Sequence, residues 1–529
     1  MRRRWMLLAA AVAAALGATG VAAPATAVGP DRLPITIANQ SGRGEQVFVY
    51  VQGTDLASGR LGWVDAGGAF HAWPAGSNPP SPAPDSAIAG PANGGAVSVQ
   101  VPRGFSGRIY FSFGQKLPFA LTPGGLVQPA PWAAGDPSHD ILFDWSELTY
   151  NDAGLWLNSS QVDMFAVPHA VSVTGADGTT RTTGRLVAGG RQQVIDTLRG
   201  DPAWAGSVVT RADGTVLRVL APGKAASAGL LSAGYLDGYI AAAWNAYTTR
   251  ALTVQPFGDR PDVRYTGRTQ GTTMRFTDTS GREVAAFARP SSSDVWGCDG
   301  ALHAPNDQVV GPIARTLCAA LFRGTLGSSS TEPVLDAAQF YRSTPANLYG
   351  RAVHAAMADG RAYAFAFDDV GAFESLVHDG EPRSARIELT SFTGGGGATT
   401  GTDAVRSGAQ GMCLDVAAAS SANGTAVQLY TCNGTNAQRW TLGTDGTLRA
   451  LGKCLDVTDW GTANGAKVQI WDCNPGQSNQ TWERWGEGYR NPASGRCLDN
   501  PDGAAVSGQQ IQLWDCYGNS AQRWSLPGA

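Results

Sequence analysis

From about Asp403 onward the chain repeats itself three times, and no other feature limits its folding so tightly. Cys413-Leu414-Asp415, Cys454-Leu455-Asp456 and Cys497-Leu498-Asp499 open the three units. A second cysteine follows nineteen positions later in each, at Cys432, Cys473 and Cys516. Just before it stands a Gln-x-aromatic pair: Gln428 and Tyr430, Gln469 and Trp471, Gln512 and Trp514. Each unit closes on Gln-x-Trp, at Gln438 and Trp440, Gln480 and Trp482, and Gln522 and Trp524. A period of about 42 residues marks supersecondary units that cannot bury a core alone and must pack on one another.

Upstream, Thr393 to Thr402 contains four consecutive glycines and reads as a flexible linker. It separates the repeats (403–529) from a first region of different character (28–392). From Leu33 to about Trp132 that region shows short strands between turn residues, as at Leu33–Ile37, Gln46–Val51, Ala96–Val101 and Gly107–Phe113, the pattern of a β-sandwich or barrel. Pro/Ser-rich Gly76–Pro84 is a loop. Beyond Asp163 the pattern becomes mixed. Helices are expected over Arg191–Arg199, Tyr235–Tyr247, Pro333–Tyr341 and Pro345–Met357, with strands near Thr253–Gln255, Thr273–Asp278, Glu283–Phe287 and Arg386–Phe392. Cys298 and Cys318 flank a loop-to-helix segment and are expected to be bridged. Apolar Ala362–Phe367 reads as a strand ending in Asp368-Asp369; on residues alone, that pair fits a solvated turn as well as a groove lining.

The chemistry concentrates in Phe143-Asp144-Trp145-Ser146-Glu147-Leu148-Thr149-Tyr150-Asn151. No proline falls between Pro137 and Pro168, so a strand there can lie inside a sheet. Alternation puts Phe143, Trp145, Glu147, Thr149 and Asn151 on one face. A carboxyl group flanked by an indole, a hydroxyl and an amide suits a sugar-binding groove. Trp156 and a second carboxylate, Asp163, follow closely. Two carboxyl groups on neighbouring elements are what glycosidic cleavage needs. The bland alternative is an edge strand whose Glu147 faces solvent.

Arg2–Arg4, the apolar run Leu7–Leu16 and Ala25-Thr26-Ala27 form a signal peptide (1–27), with a mature chain starting near Val28 and export by the Sec or twin-arginine route. Eight cysteines in an exported chain favour disulfides over metal sites. No Cys-x-x-Cys or His-Glu-x-x-His spacing occurs, and neither a metal nor a cofactor is expected. A net charge of -4 gives no basic footprint for nucleic acid. No stretch has the length a bilayer requires, and nothing demands more than a monomer. Gly-x-Ser-x-Gly and Gly-x-x-x-x-Gly-Lys are absent, which disfavours serine esterase and nucleotide chemistry.

The three repeats resemble ricin-type lectin domains, carbohydrate-binding module family 13, which fold as β-trefoils. That resemblance implies a disulfide within each repeat. It also places Trp440, Trp482 and Trp524 in the core. Sugar contacts would come from Asp415, Gln428 and Tyr430, from Asp456, Gln469 and Trp471, and from Asp499, Gln512 and Trp514. The family often has Asn before the closing Gln. Only the middle repeat keeps it, as Asn479, against Ala437 and Ala521, so that site ranks first.

The first region, around Ile141-Leu142-Phe143-Asp144-Trp145-Ser146-Glu147-Leu148-Thr149-Tyr150-Asn151-Asp152, resembles glycoside hydrolase family 64, secreted bacterial β-1,3-glucanases of which many release laminaripentaose. The resemblance implies a mainly β fold with some α: a thaumatin-like β-domain joined to a mixed α/β domain across a wide groove. It makes Glu147 the general acid and Asp163 the general base of an inverting pair, roughly 6.5–9.5 Å apart, with Glu147 raised in pKa by the neighbouring indole and partial burial. Trp145, Thr149, Asn151 and Trp156 would line the groove, and Asp368 and Asp369 would hold glucose units. A non-catalytic glucan-binding defence protein and a lectin-delivered toxin are the competing readings; both carboxylates at the family spacing argue against the first, and no other catalytic constellation supports the second.

Overall fold

The computed structural model describes residues 29–392 and 403–524, apart from residues 134, 188, 410, 434, 444, 445, 475, 486 and 487. The expected signal peptide and linker lie outside the described residues. Two compact units result, Met1–Thr393 and Gly394–Ala529.

The first unit is built on two sheets. One has five strands in the order Thr180–Thr183, His169–Gly175, Pro382–Leu389, Arg32–Asn39 and Ala96–Pro102. Its Arg32–Asn39 and Pro382–Leu389 strands run parallel, so the two ends of the region lie side by side. The other runs Leu376–Asp379, Gly154–Ser159, Leu142–Asn151, Phe105–Phe113, Val47–Asp55, Arg60–Val64 and Phe70–Ala72, with Ile88–Ala89 added beside Val47–Asp55. Alternation decides what each face does. Leu148, Tyr150, Leu155, Leu157 and Val377 are buried in the core, whereas Glu147, Thr149 and Trp156 on the opposite face stay partly open. Buried Asp144 accepts N–H bonds from Trp145 (3.0 Å), Ala166 (2.9 Å) and Val167 (3.0 Å), tying the central strand to the segment that follows Asp163.

Beyond these sheets the unit holds helices Gly190–Arg199, Asp237–Ala246, Val310–Arg323 and Leu348–Ala356, the shorter helices Pro222–Ser227 and Ser292–Gly297, a sheet ordered Glu283–Ala288, Thr273–Thr277, Tyr265–Gln270, Leu252–Val254 and Thr331–Glu332, and two small three-stranded sheets. Three expectations fail. Gly76–Pro84 is not all loop, since Ser81–Pro82 forms a short strand against Ala120–Thr122. Pro333–Tyr341 holds only a 3-10 turn, Ala337–Gln339, started by Asp336 and followed by Tyr341 at φ 57. Ala362–Phe367 is not a strand; it runs through turns with a single bridge from Tyr363 to Ser160. Its apolarity reflects packing, as where Phe365 stacks on Phe322 at 4.0 Å. Four disulfides form, Cys298–Cys318, Cys413–Cys432, Cys454–Cys473 and Cys497–Cys516.

The second unit is a β-trefoil of three equivalent repeats. Trp440, Trp482 and Trp524 are buried, and each indole N–H donates to the Leu carbonyl of its own opening motif: Leu414, Leu455 and Leu498. The closing glutamines do more than fill space. Gln438, Gln480 and Gln522 each donate to Oδ2 of Asp415, Asp456 and Asp499, while Gln428, Gln469 and Gln512 donate to Oδ1. Each aspartate is thereby fixed from both sides, with Tyr430, Trp471 or Trp514 exposed nearby. Asp499 is pushed up by burial against the opposing pull of those two amides.

Candidate active site

Register across the larger sheet assembles the site. Trp63, Gln52, Arg108, Glu147 and Asn158 face one another on successive strands. The next row, two residues along, is Thr54, Ser106, Thr149, Trp156 and His378. Ser106 and Thr149 share a hydrogen bond at 2.8 Å, and the Trp156 and His378 rings lie 4.3 Å apart. The result is a polar face with aromatic rings toward both of its edges.

Glu147 and Asp163 meet at one cation. Arg108 Nε donates to Glu147 Oε1 at 3.0 Å and its Nη2 lies 2.9 Å from the same oxygen. That Nη2 is also 3.7 Å from Asp163 Oδ2. These two oxygens can therefore be no farther apart than the two legs laid end to end, which puts them at or below the lower edge of the roughly 6.5–9.5 Å expected of an inverting pair. Lys224 Nζ approaches the other Asp163 oxygen at 3.2 Å and sits over the Trp132 ring at 4.2 Å. Burial opposes the charge on Arg108, but Tyr110, Glu147 and Asp163 outweigh it and hold the guanidinium above its ordinary value.

Three expected groove residues are placed differently. Trp145 is only 2% exposed, packed near Tyr110 with the Arg108 guanidinium 4.6 Å above its ring. It forms a floor and offers sugar no stacking surface, and Arg108 stands where the indole was expected to bear on Glu147. Asp368 is fully buried; it accepts from Arg323 Nη2 (2.8 Å), His354 Nε2 (3.0 Å) and the Ala364 N–H (2.9 Å). No sugar can reach it there, and its work is to hold the turn carrying exposed Asp369, which lies 3.9 Å from Arg315. Asn151 ends the strand at its hairpin, accepting from the Ala153 N–H at 2.8 Å. Glu147, Thr149, Trp156 and Asp163 are the expected residues that the fold brings together.

Sequence reasoning missed Arg108, Lys224, Asn158, Tyr363 and Glu374. The Asn158 amide oxygen and the Glu374 Oε2 are buried without a partner among the described residues. Burial, then Asp369 and Asp368, push Glu374 up to about 7. Tyr363, raised by burial and next by Asp369, Glu147 and Glu374, stands among these carboxyls. Only the strand holding Arg108 was legible; which residue faced Glu147 depends on a register that alternation alone does not give. Among the described residues no cluster of His, Cys, Asp and Glu could hold a metal ion.

A sheet face whose Glu147 is bridged by a guanidinium to a carboxylate on the adjoining loop, edged by aromatic rings and hydroxyls, belongs to a glycoside hydrolase. More narrowly, the chain belongs to the β-1,3-glucanases of glycoside hydrolase family 64, whose profile matches residues 31–389; a ricin-type β-trefoil lectin domain matches 402–524. It is 48% identical over 469 residues to a glucan endo-1,3-beta-glucosidase of Cellulosimicrobium cellulans, covering 85% of this chain and 84% of that protein. The same identity and coverage relate it to a glucan endo-1,3-beta-glucosidase of an Arthrobacter species. The crystal structure of a laminaripentaose-producing β-1,3-glucanase in complex with laminaritetraose is 55% identical, with a TM-score of 0.66, over 69% of this chain and 99% of the other. A family 64 domain from Clostridium beijerinckii, 23% identical, shares the fold with a TM-score of 0.58, over 69% of this chain and 99% of that domain.

Proposed function

We propose that the chain is a secreted, inverting hydrolase of β-1,3-glucan that releases laminaripentaose. Glu147 is the general acid that protonates the leaving glycosidic oxygen. Asp163 is the general base that draws a proton from water attacking the opposite face of the sugar. Thr149, Trp156 and Asp369 hold glucose units along the groove, and the trefoil anchors the enzyme to insoluble glucan or fungal wall. The thaumatin-like classification of the first β-domain belongs to this reading too; the two-sheet arrangement supports it.

The observation that carries the reading is the placement of Glu147 and Asp163 on one groove face, joined through Arg108. Residues sixteen strand and loop positions apart in other settings would have no reason to converge on one guanidinium. Arg108 orients both carboxylates and offsets their mutual repulsion before glucan enters. Lys224 holds the other Asp163 oxygen in place from the side away from Arg108. The activities and products in the names of the relatives support the choice of glucan, and the even set of bridged cysteines supports export.

Product analysis on linear β-1,3-glucan tests it, with wild type beside Glu147→Gln and Asp163→Asn. The expected result is a five-glucose product of inverted anomeric configuration, abolished by either substitution. A wild type that binds the glucan and releases nothing would overturn the assignment.

A further inference from the structure

The middle trefoil repeat carries two side chains that its siblings lack. After each opening Asp the backbone kinks through a short 3-10 turn, ending at Ala419, Trp460 or Gly503. All three tip residues have positive φ, at 51°, 56° and 64°. Glycine adopts this region freely, but a residue as bulky as tryptophan adopts it against a steric cost. The turn itself is shared by all three repeats; what sets the middle one apart is the indole placed at its tip. The Trp460 ring is 55% exposed, so core packing is not what it repays. The second distinguishing group is Asn479, matched by Ala437 and Ala521 in the other repeats.

These two side chains line the same open cleft, whose far wall, Asn491 and Ala493, comes from the third repeat. Asn479 is more than nine-tenths buried. Its Nδ2 donates to Asp456 Oδ2 at 2.8 Å and also approaches the Val457 carbonyl at 3.4 Å. A carboxylate only accepts, so the amide orientation is fixed and Oδ1 is turned the other way. That oxygen is buried and has no partner among the described residues. A buried amide oxygen left so carries a desolvation penalty that a donor would remove. The walls are rigid: Asn491 donates to the Ser478 and Thr481 carbonyls at 2.8 and 3.0 Å, and Arg496 of the third repeat binds the Thr462 carbonyl and Asn464. Among the described residues no charged side chain lines the cleft.

We propose that this cleft is an accessory sugar subsite of the middle repeat. It takes one neutral pyranosyl unit adjoining the unit at Asp456 and Trp471, with the ring stacked on Trp460 and a hydroxyl donating to Asn479 Oδ1. An indole face and a lone amide acceptor, without charge, fit a polyol ring and exclude anions and cations as the preferred ligand. Asn479 joins the two positions, one end of its amide serving each. The middle repeat thereby binds a disaccharide, whereas the other two repeats take single units. The proposal rests on the trefoil being a sugar-binding module.

The test uses the full chain in the Glu147→Gln background, so that no probe is consumed. Indole N–H resonances of Trp460 and Trp471, assigned by single Phe substitutions, are followed during titration with glucose, laminaribiose, xylobiose and lactose. The expected result is that a disaccharide moves both signals and its monosaccharide moves Trp471 alone. Trp460→Ala should weaken disaccharide binding at the Trp471 signal about tenfold and leave monosaccharide binding unchanged. Trp471 responding while Trp460 stays silent, with Trp460→Ala binding as wild type, overturns the subsite and leaves the lectin intact. If neither indole responds to any of the four sugars, the sugar-binding reading of the trefoil falls, and the subsite with it.

Discussion

Arg108 is the residue on which the two candidate catalytic carboxylates converge, and its removal separates geometry from chemistry. Without it Glu147 and Asp163 lose their common tether and repel across a short gap. Arg108→Ala is expected to lower kcat/KM about 100-fold or more, since misplacement of about 1 Å is enough for that. Arg108→Lys should not restore it, because one ammonium cannot stack on Trp145 and reach both carboxylates as the planar fork does. A second residue-scale prediction concerns pH. Burial acts against the charge on His354, but Asp368 outweighs it and holds the imidazole above its ordinary 6.5; burial likewise opposes ionisation of Asp368, yet His354 and Arg323 hold it below 3.8. The folded state keeps the His354 proton better than the unfolded chain, so this stability is fully present below about pH 6.5 and is lost as pH rises through the folded value. For Asp368 the contribution is present above about pH 3.8 and is lost as pH falls through its lowered value. Thermal unfolding should therefore show a maximum between these limits. His354→Gln should flatten the alkaline side, and a profile unchanged by that substitution would refute the assignment.

At the scale of elements, the return from the central strand depends on one glycine. Gly154 starts the strand that carries Trp156 at φ 116, and a Cβ there would lie 2.2 Å from the Asp379 carbonyl oxygen. Gly154→Ala must push apart the two strands that present Trp156 and His378. We expect a stability loss of at least about 1 kcal/mol, read by denaturant unfolding, together with a raised KM for long glucan. The Cys298–Cys318 bridge supports the other side. It ties helix Ser292–Gly297 to helix Val310–Arg323, and the terminal Arg323 of the latter holds Asp368 and the Val370 carbonyl. Replacing both cysteines by alanine should cost about 3 kcal/mol for a loop of this length, measured as a lowered unfolding midpoint. Loss of stability with wild-type KM would mean that the turn bearing Asp369 does not depend on the bridge.

For the whole molecule, the division into two compact units predicts separable functions. A chain ended at Phe392 should hydrolyse soluble β-1,3-glucan with unchanged kcat/KM and lose retention on insoluble glucan; retention equal to the full chain would remove the anchoring role from the trefoil. The sequence by itself determined much of this plan. A period of about 42 residues requires units that share a core. Spaced cysteines, closing tryptophans and a glycine-rich break marked the second unit, and strict alternation from Phe143 to Asn151 put Glu147 and Thr149 on one face. Local rules of this kind act between neighbours in the chain, so they are legible there. What faces that strand is not a local matter. That Arg108 stands opposite Glu147, that it covers Trp145, that Asp368 is buried against Arg323 and that Asp144 draws in the segment after Asp163 all follow from strand order and register. Alternation gives a side chain its face, but only the packed sheet decides whether that face meets water, sugar or another side chain.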